Sequence, residues 1–192
     1  MGKTTSRAGR LILFLVLSAL LAGVDQLTKR WALSALGDHE PVVLIDGILW
    51  FLRIENTGAA FGILKGQMTV FYLITAVVTA GIVAVILRMP PEKKYFPLFL
   101  CLCFLWAGAL GNLIDRTFRK SVVDFIYFVP IDFPVFNVAD IFVTCSTAVL
   151  MILLLTRYSD DELSFLGLGS RKKAEKAEKE EKEEKEEKEE AE

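Results

Sequence analysis

The sequence predicts an α-helical membrane protein of four transmembrane helices, with a small outward-facing β platform in the loops between them. Three observations carry this. Four apolar stretches, at about 11–34, 68–87, 95–114 and 135–156, reach bilayer length, since a hydrocarbon core takes about 20 mostly apolar residues of helix. Two intervening loops are rich in β-branched and aromatic residues rather than in turn formers. The charges are segregated: 8 of the 22 basic and 11 of the 24 acidic residues lie in the terminal 22 residues, 171–192, leaving 14 and 13 for the body.

The first span carries Lys3, Arg7 and Arg10 ahead of an apolar run that lasts through Val24. A cleaved signal peptide would look similar at that point. The L-A-G run at 21–23 is followed by Val24 where a lipoprotein signal sequence needs Cys, so the chain is not itself a lipoprotein. The next residues, D-Q-L-T-K-R-W-A-L, are amphipathic, and the segment is read as an uncleaved span. In the loop after it, 42–54 reads as one or two strands broken at Asp46-Gly47. The second span, 68–87, has no charge, and Pro90 and Pro91 end it in a short turn. The third, 95–114, is also uncharged. Residues 121–128 are a further strand candidate, and Asp132 between Pro130 and Pro134 is a solvated turn. The fourth span holds one charge, Asp140. The tail repeats E-E-K with i,i+4 Glu-to-Lys pairs and reads as solvated, either helical or disordered.

Four spans put both termini on one side. The Lys and Arg count near the span ends favours cytoplasmic termini and outward loops at 35–67 and 115–134. No basic stripe with interleaved aromatics points to nucleic acid. Cys101, Cys103 and Cys145 all fall inside spans, which argues against a disulfide framework. The single histidine, His39, nearly excludes histidine-based metal sites and Ser-His or Cys-His catalysis. No metal and no cofactor are expected.

Ionisable residues inside spans are costly and therefore candidates for function. Asn137 and Asp140 are three apart on one helical face; Gly108, Asn112 and Arg116 form an i,i+4 row with Asp115 beside it; Asp25 and Lys29 are four apart. All gather toward one side of the membrane, with Asp140 about five residues into its span. Asn, Asp and Arg can also serve as polar glue between helices. As chemistry, paired carboxylates are what remain: two aspartates can share a proton, one acting as base on water and the other as acid toward a carbonyl.

Five boxes in order make this specific: D-Q-L-T-K at 25–29, N-T-G-A-A-F-G at 56–62, G-A-L-G-N-L-I-D-R at 108–116, V-V-D-F at 122–125 and F-N-V-A-D at 136–140. Across about residues 8–157 the chain resembles the lipoprotein signal peptidase (signal peptidase II) family of bacterial membrane aspartyl peptidases. The resemblance implies cleavage of prolipoprotein signal peptides just before a diacylglyceryl-modified cysteine. It implies that Asp124 and Asp140 are catalytic, and that Asp25, Asn56, Gly108, Asn112, Arg116 and Asn137 support substrate, carboxylates or packing. Asp115 matches as a supporting residue. The expected partners are prolipoproteins and membrane lipid, and the expected location is the cell membrane, multi-pass, with the site near the extracytoplasmic face. The expected organisation is a cytoplasmic N-terminus at 1–10, a four-span peptidase domain at 11–157 and a cytoplasmic tail at 158–192. A proton-coupled transporter would want midplane carboxylates and often internal repeats, which are lacking here. A non-catalytic scaffold would use the polar cluster as glue alone.

Overall fold

The structure, a computed structural model, describes residues 6–37, 40–58 and 65–167. The Lys/Glu run at 171–192, His39 and the A-A-F-G part of the second box lie outside the described residues. The helices are α1 (Arg7–Ala35), α2 (Met68–Arg88), α3 (Phe96–Arg119) and α4 (Val138–Thr156), and all four are long and apolar enough to cross a membrane. The strands are β1 (Val42–Ile45), β2 (Leu49–Asn56) and β3 (Val122–Phe128), forming one antiparallel sheet in the order β1-β2-β3.

Two helix ends depart from the lengths of the apolar runs. Helix α3 continues five residues past Ile114, to Arg119, because its polar residues Asn112, Asp115 and Arg116 each find a partner inside the fold. It stops where Lys120 turns left-handed at φ 65° and donates its N–H to Arg116 O. Helix α4 starts at Val138, not at Val135. Phe136 is extended and exchanges hydrogen bonds with Ile126 of β3 (3.0 and 2.8 Å), which holds the chain out of the helix. Asn137 then caps α4, so Asp140 occupies the first turn rather than a place about five residues deep.

Helix α3 is the centre of the bundle, with α4, α1 and α2 packed on it. Close approach of α4 depends on Gly108, where an added Cβ would collide with Ala139 O and Val143 Cγ2. At Gly111 an added Cβ would strike Asp25 Oδ2. Toward the termini the core is apolar, built on Phe14, Ile86, Tyr95, Leu98, Leu102 and Cys103. That end is also tied by hydrogen bonds. Arg10 donates to Met89 O, Tyr95 Oη to Glu162 O (2.8 Å) and Tyr158 Oη to Lys94 O (2.8 Å), with the two tyrosine rings stacked at 5.6 Å. The rest of each helix surface is apolar and exposed, as at Leu20, Leu27, Val77 and Leu155, which suits contact with lipid rather than water.

The sheet sits at the opposite end. The expected break at Asp46-Gly47 is the β1–β2 turn, where Gly47 at φ 64° supplies the left-handed residue the hairpin needs. Strand β2 pairs with β3 from Leu49↔Phe128 to Asn56↔Val122, with a shift of register between Phe51 and Ile54. Phe51 and Phe125 meet the edge of Trp31, at ring-centroid distances of 5.3 and 6.0 Å, and this fixes the sheet on the end of α1. Phe125, the buried ring of the three, contributes about 1.5–3 kcal/mol. Asp132 is exposed in its turn, as expected, and accepts from Tyr127 Oη at 2.6 Å.

Candidate active site

Between the sheet and the ends of α3 and α4 lies a cavity of about 900 Å³. Its wall includes Asp124, Asp140, Asn56 and Arg116, with Ile54, Phe133, Val135 and Phe136 as apolar lining. It extends from Asp132 in the turn after β3 to Thr144, one helical turn beyond Asp140.

Asp140 is placed by the start of α4. A capping box closes there: Asn137 Oδ1 accepts from Asp140 N (3.0 Å) and Asp140 Oδ2 accepts from Asn137 N (3.1 Å). The remaining oxygen, Oδ1, accepts from Asn112 Nδ2 at 2.8 Å. Asp140 thus has one rotamer held from two sides. Its place in the first turn puts it at the positive end of the α4 dipole, where a negative charge is welcome.

Asp124 is placed by β3. It is 3 % exposed. Its Oδ1 accepts from Asn137 Nδ2 (2.6 Å) and its Oδ2 from Asn56 Nδ2 (2.9 Å). Burial pushes its carboxyl up to about 6, and the nearby Asp140 charge adds to this, against the lowering effect of the Asn56 and Asn137 bonds. Asn56 is itself oriented, because its Oδ1 accepts from Gly58 N at 2.9 Å. Asn137 therefore touches both aspartates, and a second bond runs from its Nδ2 to Asn112 Oδ1 (3.2 Å).

Arg116 forms part of the wall. Its Nη2 donates to Gly58 O (2.8 Å), and its guanidinium lies 3.9 Å from the centre of the Phe71 ring. It joins α3 to the loop after β2 and to α2, and brings a positive charge to a cavity with two carboxylates. Asp25 and Gly108 are not in the wall. Gly108 serves helix approach. Asp25 is fully buried beneath the cavity, paired with Lys29 (2.9 Å), and its Oδ1 accepts from Ala139 N (2.9 Å).

Lys29 is a residue whose weight the motif spacing understates. It is 1 % exposed and bonds Asp25, Asp115 (3.0 Å) and Asn112 Oδ1 (2.9 Å). A lysine four residues from an aspartate inside a span was the available signal, since a lone charge there is costly. Gln26 is also new: its amide reaches Asp115 Oδ1 (3.1 Å), Asp25 Oδ2 (3.2 Å) and Gly111 O (3.2 Å). Among the described residues, no three His, Cys, Asp or Glu side chains are grouped as metal ligands would be.

The arrangement brings two carboxylates of unequal surroundings to one cavity with polar and apolar walls. The family model described as signal peptidase (SPase) II matches residues 17–156. A lipoprotein signal peptidase of Geobacillus thermodenitrificans is 40% identical over 145 residues, 74% of this chain and 89% of the relative. That of Bacillus subtilis (strain 168) is 37% identical over 146 residues, 75% of this chain and 94% of the relative. Two solved structures, described as bacterial membrane enzymes determined by the in meso method, are also similar. One has a TM-score of 0.66 at 32% identity, covering 74% of this chain and 87% of that one. The other has a TM-score of 0.65 at 31% identity, covering 76% and 94%.

Proposed function

Since the chain belongs to the signal peptidase II family, we propose that Asp124 and Asp140 are the dyad with which it hydrolyses its substrates. The chain is a peptidase of bacterial membranes that removes signal peptides from prolipoproteins. The aspartic mechanism is supported by one observation above all. Two carboxylates from different elements, Asp124 on β3 and Asp140 on α4, line one cavity and are joined through Asn137.

The two carboxyls differ in ways that suggest their roles. Asp124 is buried and holds its proton more tightly than a solvated aspartate. Asp140 lies at a helix N-terminus with both oxygens accepting hydrogen bonds. In this reading Asp140 is the base and Asp124 carries the shared proton. Asp140 takes a proton from water, and the water oxygen bonds to the scissile carbonyl carbon. Asp124 gives its proton to the carbonyl oxygen. The resulting tetrahedral adduct collapses, the C–N bond breaks, and the amine leaves with the proton now on Asp140. Asp124 recovers its proton from the adduct's hydroxyl, which restores the starting state.

The cavity also fits a substrate that stays in the bilayer. Its wall passes from the exposed Asp132 turn to Thr144, well within α4, so water and an apolar chain can approach from different sides. A diacylglyceryl group on the cysteine after the cut would use the apolar part, and lipid would meet the rest of the helix surface. For orientation, Arg7, Arg10, Arg88, Lys93, Lys94 and Arg157 cluster at the span ends opposite the sheet, which the positive-inside rule weighs. That favours cytoplasmic termini, the site at the extracytoplasmic face, and residues 158–192 as a cytoplasmic tail.

The test is to incubate purified protein with a lipid-modified prolipoprotein and follow the size shift on a gel. Asp124→Asn and Asp140→Asn should each insert and fold but leave the precursor uncut, a loss of about 10³-fold or more. Normal processing by either variant would refute the dyad.

A further inference from the structure

Lys29 stands outside the cavity wall and touches neither carboxylate of the dyad. It is nonetheless connected to both. An ammonium has three N–H donors and no acceptor. Three oxygens take them: Asp25 Oδ2 at 2.9 Å, Asp115 Oδ2 at 3.0 Å and Asn112 Oδ1 at 2.9 Å.

Each of these partners makes one more bond, to an aspartate of the dyad or to the residue before one. Asn112 Nδ2 donates to Asp140 Oδ1 at 2.8 Å. Asp25 Oδ1 accepts from the N–H of Ala139, the residue before Asp140, at 2.9 Å. Asp115 Oδ2 accepts from the N–H of Val123, the residue before Asp124, at 3.3 Å. One cation therefore stands behind the backbone of both aspartates and behind a side-chain donor to one of them.

The amide of Asn112 shows why the cation matters. An asparagine amide can sit in either of two orientations, and only its partners decide between them. A group that can only donate must face the oxygen. Lys29 is such a group, so Nδ2 is left to point at Asp140; Asn137 Nδ2, at 3.2 Å from the same oxygen, agrees. Without the ammonium the Asn112 oxygen keeps only the longer bond from Asn137 Nδ2, and the amide is held less firmly toward Asp140. We propose that Lys29 is a positioning residue for the reaction, directing the Asn112 amide at Asp140 and anchoring, through Asp25 and Asp115, the backbone of both aspartates. The proposal rests on the dyad assigned above.

The test measures kcat and KM of the full-length protein in lipid-containing micelles, with lipid-modified prolipoprotein as substrate. Lys29→Met and Asn112→Ala should each lower kcat about tenfold or more, with KM within about twofold of the parent. The double variant should lose at most about threefold beyond the larger single loss, since the Asn112 bond is one of those that Lys29 already governs. Losses that multiply, or an unchanged kcat in Lys29→Met, would overturn the proposal. Lys29→Met leaves two buried carboxylates without their cation and can fail to fold. The pair Lys29→Gln with Asp115→Asn keeps the native net charge of the cluster and covers that case. Its kcat should again be about tenfold below that of Asp115→Asn alone; equal values sink the idea. Cleavage by Asp124→Asn or Asp140→Asn would refute the dyad itself. Inactive dyad variants beside a fully active Lys29→Met would refute only the role of Lys29.

Discussion

Asp124 pays for its place in the site. Its carboxyl is pushed up to about 6, first by burial and then by the charge of Asp140, from an ordinary value of 3.8. The sign follows from proton binding. The folded state holds this proton more tightly than the unfolded chain does, so stability is lost as pH rises from about 4 to about 6 and changes no further above that. Asp124→Asn removes the penalty. It should raise stability by about 1–2 kcal/mol at pH 7.5, less whatever the amide loses against Asn56 and Asn137, and should give no gain at pH 4. Melting curves of parent and variant in the same detergent at the two pH values check this. Asp140 stood out in the sequence as the lone charge of its span, and Asp124 through the V-V-D-F box that carries the resemblance. Asn56, Asn112 and Asn137 were named with them through the resemblance, but which of them bonds which aspartate was not legible. Asn56 is 68 residues from Asp124 in the chain, and Lys29 is 83 from Asn112, separations over which no helical or strand period carries information.

The elements were read well where hydropathy alone decides, and less well where polar partners do. Helix α2 runs Met68–Arg88, one residue beyond its uncharged run, because nothing competes with the helix there. The ends of α3 and α4 nearest the sheet differ from the apolar runs for opposite reasons. Buried partners let α3 continue through Asp115 and Arg116, whereas a bridge to β3 keeps the apolar residue Phe136 extended. The hairpin break at Asp46-Gly47 was visible, but the pairing of β2 with β3 depends on α3 bringing residue 122 back, which no local pattern records. Helix approach gives a prediction at this scale. Gly108→Ala should destabilise the bundle by about 1–3 kcal/mol, because the methyl meets backbone at Ala139. Gly23→Ala, with nothing within 4 Å, should be neutral or stabilising by up to about 1 kcal/mol. Thermal unfolding of both variants would separate a packing role for Gly108 from mere helix propensity.

At the scale of the molecule the two ends do different work. One is dry and aromatic, latched by Tyr95, Tyr158 and Glu162; the other holds the polar groups. A chain ending at Ser170 should keep its activity and melting temperature, since the latch stays whole. One ending at Thr156 removes Tyr158 and Glu162 and should melt several degrees lower, at about 2–4 °C per kcal/mol lost; an unchanged melting temperature would show the latch to be ornamental. The four-span plan was legible because bilayer length is a coarse and strong signal, while the latch was not, because it joins residues near 94 to residues near 160. The Asp25–Lys29 pair has a bearing on how such a chain is made. The two charges are one turn apart on the same helix. They can neutralise each other while α1 is still alone in the bilayer, before α3 exists to receive them. Two ions that would each be costly alone can thus enter the membrane as a nearly neutral pair. The ammonium then still has donors for Asp115 and Asn112 of α3.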